Sequence, residues 1–426
     1  MAGQLKVNGV TLATEESGTV TLENPQIKDS SNNLVLDQSG SRPVLKNVDI
    51  KDSSNNVILD QSGTNPVLKN VEVVNNSSMM FRNRIINGDM RISQRNSSNQ
   101  VTPPTNGDTI QTNNYPVDRW FIQNSSGSAT IFGQQVTDVP NGNFQHSVKI
   151  STTTAINTTQ AQQLNFQQRI EGYNVADFGF GSTSAKSMTF SFYVKSNVLG
   201  NYGFIIHNGN VCFVSKYEIT TEDVWKKVTI NLTPQTSYAL SNSTNGTGLY
   251  INFDLGCGSD FESNNEGWQT GDFKRPINCI KWANNTNATL YITGVQLEEG
   301  TVPTPFEHRP YGTELALCQR YFETSYNIGT AIGTATDIGS CMFISNRNPG
   351  LPHTQVRYAV TKRTTPTFTA YNPNDGTSGE MRDVDSSADY GVQFTRDGYT
   401  GGTLWTYSSV GLGNFLQFHY TAFAEL

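Results

Sequence analysis

A near-perfect repeat of 23 residues in the N-terminal part of the chain limits its fold more than any other sequence feature. Residues 27–48 and 50–71 differ at only four positions, two of which exchange one aliphatic side chain for another. A diverged copy precedes them from Gly9 onward, and a fourth copy begins at Glu72 and stops. Repeats of about this period are typical of solenoids or arrays, in which one unit cannot bury its own apolar face.

Each repeat contains two short strand-like runs separated by turn-forming residues. In the second copy these runs are 57–59 and 66–73, and the residues between them are rich in Asp, Ser, Asn and Gly. Ordering costs about 1–2 kcal/mol per residue, which so few apolar side chains cannot offset within a single chain. The segment is therefore either a flexible tail or a stalk in which several copies of the chain share one core. The regular spacing of Val, Ile and Leu favours the stalk.

The composition of the chain indicates β structure and argues against two classes of partner. At 426 residues, the chain is long enough for two or three domains. Only 15% of its residues are charged, and it is rich in Thr, Tyr and Phe, which favour strands. A formal charge of −7 without a basic cluster argues against nucleic-acid binding. No apolar run approaches the roughly 18 residues of a membrane helix, so we expect no membrane insertion.

Ten strand-like runs occupy most of the middle of the chain, and several alternate apolar and polar residues. Met188, Phe190 and Phe192, for example, share one face of a predicted strand. Upstream of these runs, Asn87-Gly88 predicts a two-residue hairpin. The pattern predicts a β-sandwich or jelly roll over residues 79–312. The ten runs are 118–123, 129–136, 145–151, 162–170, 187–195, 203–207, 211–219, 225–232, 248–255 and 288–298.

A short amphipathic segment separates this region from a second set of strand-like runs. Leu315, Cys318 and Phe322 fall on one face of a helix, so residues 313–323 are predicted to form a junction. A second β-sandwich is predicted over residues 324–426, and the fold class is all-β. Its predicted strands are 328–335, 339–345, 353–360, 367–371, 390–394 and 414–423, with turns at 372–376, 396–398 and 401–402.

Four stretches between residues 82 and 323 follow one another in a definite order. They are RNRIINGDMRISQR from Arg82, YPVDRWF from Tyr115, QQRIEGYNVADFGFG from Gln167 and YITGVQLEEGTVPTPFEHRPYGTELALCQRYFE from Tyr291. Together they resemble the central domain of bacteriophage tail-fibre proteins, over more than half of the chain. The resemblance implies a jelly-roll domain like those of carbohydrate-binding modules, carried on a trimeric fibre that contacts the host surface.

No motif in the sequence indicates a catalytic site. The five cysteines lack CxxC spacing and are predicted to be small buried hydrophobic side chains. The five histidines lie in no triad or metal-binding motif, and His308 is predicted to be a packing residue. A glycosidase needs two facing carboxylates, and the sequence selects no pair, so we expect no enzymatic activity. The candidate acids are Asp254, Asp260, Glu262, Glu266, Glu298, Glu299, Asp383, Asp385 and Asp389.

No cofactor is expected apart from a structural calcium ion. Jelly rolls of the carbohydrate-binding kind often hold such an ion through Asp, Asn and backbone oxygens. Asp118 and Glu298 flank predicted strands within the stretches that resemble the family. The alternative is that Asp118 and Arg119 form an ion pair beside the buried ring of Trp120. No motif with ligand spacing selects the metal's residues.

Exposed aromatic rings beside polar side chains are the feature expected of a sugar-binding surface. Rings stack on the C–H faces of sugars, while amides and charged groups bind the hydroxyls. The candidate residues are Trp268, in a loop rich in Gly and Asn, and Trp405 with the nearby Tyr399 and Tyr407. Burial is the alternative for both tryptophans. The other tryptophans lie closer to predicted strands and are predicted to be in the core: Trp120, Trp225 and Trp282.

These features together predict a non-enzymatic, homotrimeric phage tail fibre that attaches to the host by binding a surface glycan. Residues 1–78 are predicted to be the virion-proximal stalk, which contacts other tail proteins, and 324–426 the distal tip. MAGQLKVNGVTLA has no signal-peptide core, so synthesis in the cytoplasm of the bacterial host is expected. Two alternatives are a virion decoration without a receptor role and a tailspike that degrades its glycan. A tailspike is expected to have longer β-helix repeats with paired acids.

Overall fold

The chain divides into two compact units, Met1–Asn76 and Ser77–Leu426. The computed structural model describes residues 81–106, 114–239, 244–345 and 351–426, together with the backbone of nine strands in the first unit. No helix among these residues has the length and hydropathy needed to cross a membrane. The predicted boundaries at 78, 312 and 323 stay predictions.

The first unit repeats one structural element, a three-stranded antiparallel sheet. In the two near-identical repeats the registers correspond: Ile27 pairs with Leu36 in the first copy and Ile50 with Leu59 in the second. The repeat of sequence is therefore also a repeat of strand pairing. The strands are β1 Gly3–Val7, β2 Val10–Glu16, β3 Thr19–Leu22, β4 Ile27–Lys28, β5 Leu34–Asp37, β6 Val44–Leu45, β7 Ile50–Lys51, β8 Val57–Asp60 and β9 Val67–Leu68.

The second unit begins with a β-sandwich, called the body here, whose two sheets enclose an aromatic core. One sheet has six strands in the order β10-β13-β18-β15-β16-β20, and the other has five in the order β11-β12-β22-β14-β17. All ten predicted runs of this region are strands, with ends shifted by a few residues. The strands are β10 Phe121–Asn124, β11 Ile131–Val136, β12 Ser147–Thr152, β13 Leu164–Glu171, β14 Met188–Ser196, β15 Gly200–His207, β16 Val211–Ile219, β17 Lys226–Leu232, β18 Thr247–Asp254, β19 Glu262–Ser263, β20 Gly267–Thr270, β21 Arg275–Pro276 and β22 Thr289–Glu299.

The alternation of the strands places one set of side chains between the two body sheets. Phe190 and Phe204 stack with ring centroids 4.4 Å apart, and Trp120 stacks on Phe166 at 5.1 Å. Trp120 and Trp282 are fully buried, as predicted. Four of the five cysteines are also buried, and all five are free thiols, which agrees with their predicted role as small apolar side chains.

The predicted hairpin at Asn87-Gly88 does not form, because the backbone on either side binds other partners. Asn87 adopts a φ of +56°, and the amide of Met90 donates to its carbonyl in an isolated turn. The Ile86 amide donates to the side chain of Gln168 at 3.0 Å. Gly88 lies so close to β22 that a Cβ atom would stand 2.2 Å from the carbonyl oxygen of Val295, which explains the glycine without a hairpin.

The predicted helical junction is present as α1, Tyr311–Gln319. Cys318 packs in a small apolar cluster with Ile86, Ile92 and Tyr321. Glu314 is buried, accepts from the Asn87 amide at 2.5 Å and pairs with a guanidinium nitrogen of Arg309 at 3.2 Å. Phe322, predicted to extend the helix, instead begins a strand.

A second β-sandwich, called the C-terminal sandwich here, follows α1. In its larger sheet β31 pairs with β23, β24, β26 and β27, and β28 pairs with β27, whereas its smaller sheet has the order β25-β30-β29. The predicted strand at 328–335 was wrong, because these residues form turns, and β27 and β30 were not predicted. The strands are β23 Phe322–Thr324, β24 Cys341–Ile344, β25 His353–Arg357, β26 Thr367–Tyr371, β27 Glu380–Asp383, β28 Ala388–Gly391, β29 Gln393–Gly398, β30 Gly401–Trp405 and β31 Phe415–Phe423.

A buried ionic cluster joins the two sandwiches. Glu425, just after β31, pairs with Arg95 at 2.7 Å and with Arg119. Asp118 pairs with Arg95 at 2.5 Å, and all four side chains are at most 2% exposed. Arg169 of the body donates to the carbonyl oxygen of Leu426 at 2.9 Å. Removing one member of such a cluster costs about 3–5 kcal/mol, because it leaves an uncompensated buried charge.

Candidate functional site

The smaller sheet of the C-terminal sandwich presents one face to solvent, called the open face here. Strand pairing places His353, Trp405 and Gln393 in one row across the three strands, and Gln355, Thr403 and Thr395 in the next. Because neighbouring residues of a strand point to opposite sides, these side chains share one face. The open face comprises His353, Gln355, Arg357, Gln393, Thr395, Thr403 and Trp405, together with Arg396 in the bulge of β29.

The opposite face of this sheet is anchored in the core of the C-terminal sandwich. Val356 and Leu404 are buried there, and Phe394 packs against the same cluster. Gly402 is required by this packing, since a Cβ atom would lie 2.4 Å from the ring of Phe394. Gly401 has a φ of +147° and would bring a Cβ atom to 2.1 Å from the carbonyl oxygen of Val356. The two glycines therefore belong to a strand in close contact with its neighbours.

A cavity of about 380 Å³ lies on the open face beside Trp405. Tyr407, 69% exposed, meets the Trp405 ring edge-on with centroids 4.3 Å apart. The surroundings are rich in hydrogen-bonding groups, and an aromatic ring next to such groups suits a sugar, whose C–H face stacks while its hydroxyls are bound. The residues that line the cavity are Leu351, His353, Thr395, Arg396, Thr403 and Trp405.

The four residues predicted to bind sugar do not form one site. Trp405 and Tyr407 are in contact, while Tyr399 is 51% exposed in the turn that joins β29 to β30, at the far end of the same sheet. Trp268 lies in the body on edge strand β20, with its ring 5.2 Å from Phe213 and 5.9 Å from Phe180. Its indole N–H donates to the carbonyl oxygen of Thr233 at 2.7 Å. This geometry favours the packing alternative for Trp268.

The body has a second polar sheet face, called the covered face here, on the outer side of its six-stranded sheet. Its side chains include Asn165, Gln167, His207, Tyr250 and Asn252. All of these except Tyr250 are at most 2% exposed. This set cannot be recognised in the sequence, because polar residues at the outward positions of a strand are also the pattern of a face exposed to solvent.

Part of the loop between β18 and β22 packs on this face beside β15 and β16. Phe273 packs against Ile205, Cys212 and Val214 of the sheet. Lys274 places its ammonium nitrogen 3.1 Å from Nε2 of His207 and 2.6 Å from the carboxylate of Asp272. A ligand cannot reach these groups unless the loop moves.

His207 is a buried histidine of the covered face. Burial lowers its pKa well below the usual value, and the positive charges of Lys274 and Arg169 lower it further. Its ring stacks on Tyr250 with centroids 4.6 Å apart, and Gly209 donates its amide to Nδ1 at 3.0 Å. The imidazole is therefore held neutral and packed in place.

Trp225 does not lie in the core, in contrast to its prediction. It is half-buried on the outer side of the five-stranded sheet, where its ring centroid is 6.2 Å from that of Tyr291. Its indole N–H donates to Asp138 at 3.1 Å, and Asp138 also pairs with Lys195. This cluster satisfies its own polar groups.

Most of the acids considered for catalysis are engaged in structural contacts. Asp254 accepts from the amides of Gly256 and Cys257, and Glu298 accepts from Gln296 and Thr304. The remaining acids pair with cations or accept from backbone amides, apart from Asp260, which is exposed in a short 3-10 helix, Ser259–Phe261. Those contacts are Glu262–Arg275, Glu266–Lys216, Glu299–Lys186, Asp389–Arg382, Asp383 with the amides of Asp385 and Ser386, and Asp385 with the amide of Phe415.

The two residues considered for calcium are bound to protein groups. Asp118 pairs with Arg95 rather than with Arg119, and it also accepts from Gln94 at 2.5 Å. Glu298 is hydrogen-bonded as described above. Across the described ranges, no three His, Cys, Asp or Glu side chains converge in a metal-binding group.

Sequence reasoning identified Trp405 but missed its neighbours on the open face. Arg396 was assigned to a turn, and His353, Gln393 and Thr395 were not considered as binding residues. The available signal was the alternation of Thr403 and Trp405 with Leu404, which marks a strand with one buried and one exposed face.

No protein-family model matches the sequence, and no curated protein matches it. Solved structures with similarity include the enzymatically active domain of bacteriophage CBA120 tailspike protein 4, with 14% identity and a TM-score of 0.27. That match covers 51% of this chain and 22% of the tailspike, so this chain spans about a fifth of its length. TmCBM61 in complex with β-1,4-galactotriose matches with 11% identity and a TM-score of 0.26, covering 51% of this chain and 99% of that one.

The family 11 carbohydrate-binding module of the cellulosomal cellulase Lic26A-Cel5E of Clostridium thermocellum is also similar. It matches with 14% identity and a TM-score of 0.21, and the match covers 49% of this chain and 99% of the module. TM-scores this low do not indicate a shared function. The all-β fold of this chain is established by its own strands and sheets.

Proposed function

We propose that the chain is a phage tail-fibre protein that attaches to the host cell by binding a surface glycan on the open face. The observation that carries this proposal is the position of Trp405, which stands beside a cavity of about 380 Å³ on an accessible sheet lined with polar side chains. The covered face offers similar groups but no access.

The fibre part of the proposal is supported by the order of the four stretches that resemble tail-fibre proteins and by the repeated unit of the first 76 residues. Two successive repeats pair their strands in the same register, as equal segments of a stalk would. Each segment has few apolar residues, and a homotrimer supplies the neighbours that such segments need. Three copies of the open face on one fibre would raise the strength of weak glycan binding by avidity.

The binding proposal is tested with the full-length chain on an array of bacterial surface polysaccharides and on intact bacteria of a broad panel. Wild-type protein is expected to label a subset of glycans, and Trp405→Ala is expected to lose that labelling. Equal labelling by wild type and Trp405→Ala would contradict a site on the open face. Arg382→Gln, a surface substitution elsewhere in the same sandwich, serves as the matched control.

The absence of enzymatic activity is a separate part of the proposal. We expect no release of reducing sugar from any glycan that the protein binds, since most of the candidate acids are engaged in structural contacts. Release of reducing sugar would instead support the tailspike alternative. Native mass spectrometry is expected to give the mass of three chains, and a monomer would contradict the trimeric stalk.

A further inference from the structure

The open face carries two arginines that lack a carboxylate partner among the described residues. Arg396 lines the cavity beside Trp405, and Arg357 lies on the same face at the other end of β25. Among the described residues, no carboxylate oxygen lies within 4 Å of either guanidinium. Arg357 donates only to the side chain of Gln355, at 3.4 Å. Most other surface arginines of the described chain behave differently, as Arg84 and Arg382 show by pairing with Asp177 and Asp389.

The position of Arg396 follows from an irregularity in its strand. The register between β29 and β30 shifts between Thr395 and Gly398, and Arg396 has a φ of +53°. A left-handed conformation is uncommon for a residue with a long side chain and marks a bulge that redirects it. The bulge turns the guanidinium toward the cavity.

The acid next to Arg396 in the sequence does not neutralise it. Asp397 is exposed in the bulge, and its Cα atom would lie 3.1 Å from a Cβ atom on Gly402. Among the described residues, the Arg396 guanidinium and the Asp397 carboxylate form no ion pair within 4 Å, although they are adjacent in the sequence.

We infer that the open face binds an anionic saccharide, with Arg396 donating to a carboxylate or phosphate group while the sugar ring stacks on Trp405. This inference rests on the proposed glycan binding and specifies its ligand class. A guanidinium presents two parallel N–H donors that match the oxygens of a carboxylate or phosphate, and a neutral sugar has no group that requires them. The chain has a net charge of −7. An unpaired cation beside an aromatic ring therefore favours an anionic sugar over a neutral one at this site.

The test compares charged and neutral forms of one saccharide. Full-length protein is titrated with tetragalacturonic acid and with its methyl ester, and in a second arm with mannose 6-phosphate and mannose. Tighter binding of the acid identifies a carboxylate, and tighter binding of the phosphate identifies a phosphosugar. The glycan array is scored in parallel for acidic and neutral members.

Arg396→Gln is expected to weaken binding of the preferred anionic probe roughly tenfold and to leave the neutral probe unchanged, because only one charge-assisted contact is lost. Arg396→Lys keeps the charge without the paired donors. Its affinity for the anionic probe should therefore lie between those of wild type and Arg396→Gln. Arg382→Gln should bind as wild type does. Higher salt should reduce the preference for the anion.

Failure of this inference can be separated from failure of the proposed function. If wild type binds charged and neutral forms equally, or if Arg396→Gln weakens both equally, the anionic ligand class is wrong while glycan binding stands. Absence of binding to every anionic probe and array member also overturns the inference. Unchanged binding by Trp405→Ala, in contrast, contradicts the site itself.

Discussion

The covered face of the body and the open face of the C-terminal sandwich have similar side chains and opposite access. Each presents glutamine, histidine and aromatic residues on the outer side of a β-sheet. On the covered face, Gln167 and His207 are each 2% exposed, whereas Gln393 and His353 on the open face are exposed. The difference is that a loop of the chain itself packs on the first face. A polar sheet face is therefore a binding site only if the rest of the chain leaves it free.

The two sheets also use their tryptophans differently. Trp268, on the edge strand next to the covered face, packs against rings of the body core, and its N–H is bonded within the protein. Trp405 meets only the exposed ring of Tyr407 among the aromatic contacts of the described residues. Matched substitutions on the two faces can test whether the first set of residues maintains the fold and the second binds a ligand.

The tryptophan pair should give the largest contrast. Trp268→Ala is expected to lower the free energy of unfolding by about 3 kcal/mol, since a ring packed against the core is lost. Trp405→Ala is expected to lower it by about 1 kcal/mol or less, and to weaken glycan binding by about 2 kcal/mol, or roughly thirtyfold. Chemical denaturation and titration calorimetry measure the two effects. A large stability loss in Trp405→Ala with unchanged binding would contradict the assignment of Trp405 to a binding surface.

The glutamine pair sharpens the comparison without removing a ring. Gln167 donates to the side chain of Gln123 at 2.7 Å, and Gln167→Ala removes this buried hydrogen bond and leaves a cavity. We expect a loss of about 1–3 kcal/mol in unfolding free energy. Gln393→Ala, on the exposed surface, should change stability by about 0.5 kcal/mol or less. Equal losses in the two variants would show that the open face is covered in solution.

The histidine pair tests the comparison through pH and should give the smallest effect. The folded protein holds His207 neutral because its pKa is lowered, whereas an unfolded histidine takes up a proton near pH 6.5. The unfolded state therefore binds more protons below about pH 6.5, and stability falls as the pH decreases, by up to about 1.4 kcal/mol per pH unit for this one group.

His207→Gln removes this contribution, so the loss of stability between about pH 6.5 and 5 should become less steep than in wild type. His353→Gln, on the open face, serves as the matched control for the removal of a histidine. Thermal or urea unfolding at a series of pH values measures both. The assignment of His207 fails if its substitution leaves the pH dependence unchanged.

The body strands were predicted well from the sequence, because the alternation of apolar and polar residues matches the alternation of buried and outward-facing side chains. Met188, Phe190 and Phe192 alternate with polar residues, and each lies in the core as expected. The same periodicity is weaker in the C-terminal sandwich, where many strands are exposed on one face and short. Residues 328–335 alternate in part but form turns, and β27 has a single fully buried apolar residue, Met381.

The errors at glycines have a common cause. Asn87-Gly88 and Gly401-Gly402 both have the composition of a turn, and the sequence does not reveal what lies next to them. In the structure the glycines provide room for a neighbouring strand or ring, at Val295 and at Phe394. The open face was partly missed for this reason, since the strand that carries Trp405 begins at Gly401. The coverage of the body sheet could not be predicted, because it depends on how a loop rich in polar residues packs.

The central place of β31 has a consequence for the order in which the protein folds during synthesis. Four strands of the larger C-terminal sheet pair with β31. Glu425, the second residue after β31, binds the guanidinium of Arg95, which lies 330 positions earlier in the chain. Ribosomes deliver residues from the N-terminus at about 5–20 per second, so the body strands emerge long before β31 does. Until then Arg95 and Arg119 have no Glu425, and β23, β24, β26 and β27 have no common partner. The larger sheet of the C-terminal sandwich can therefore be completed only after β31 emerges, and its completion closes the ionic cluster that holds the body to it.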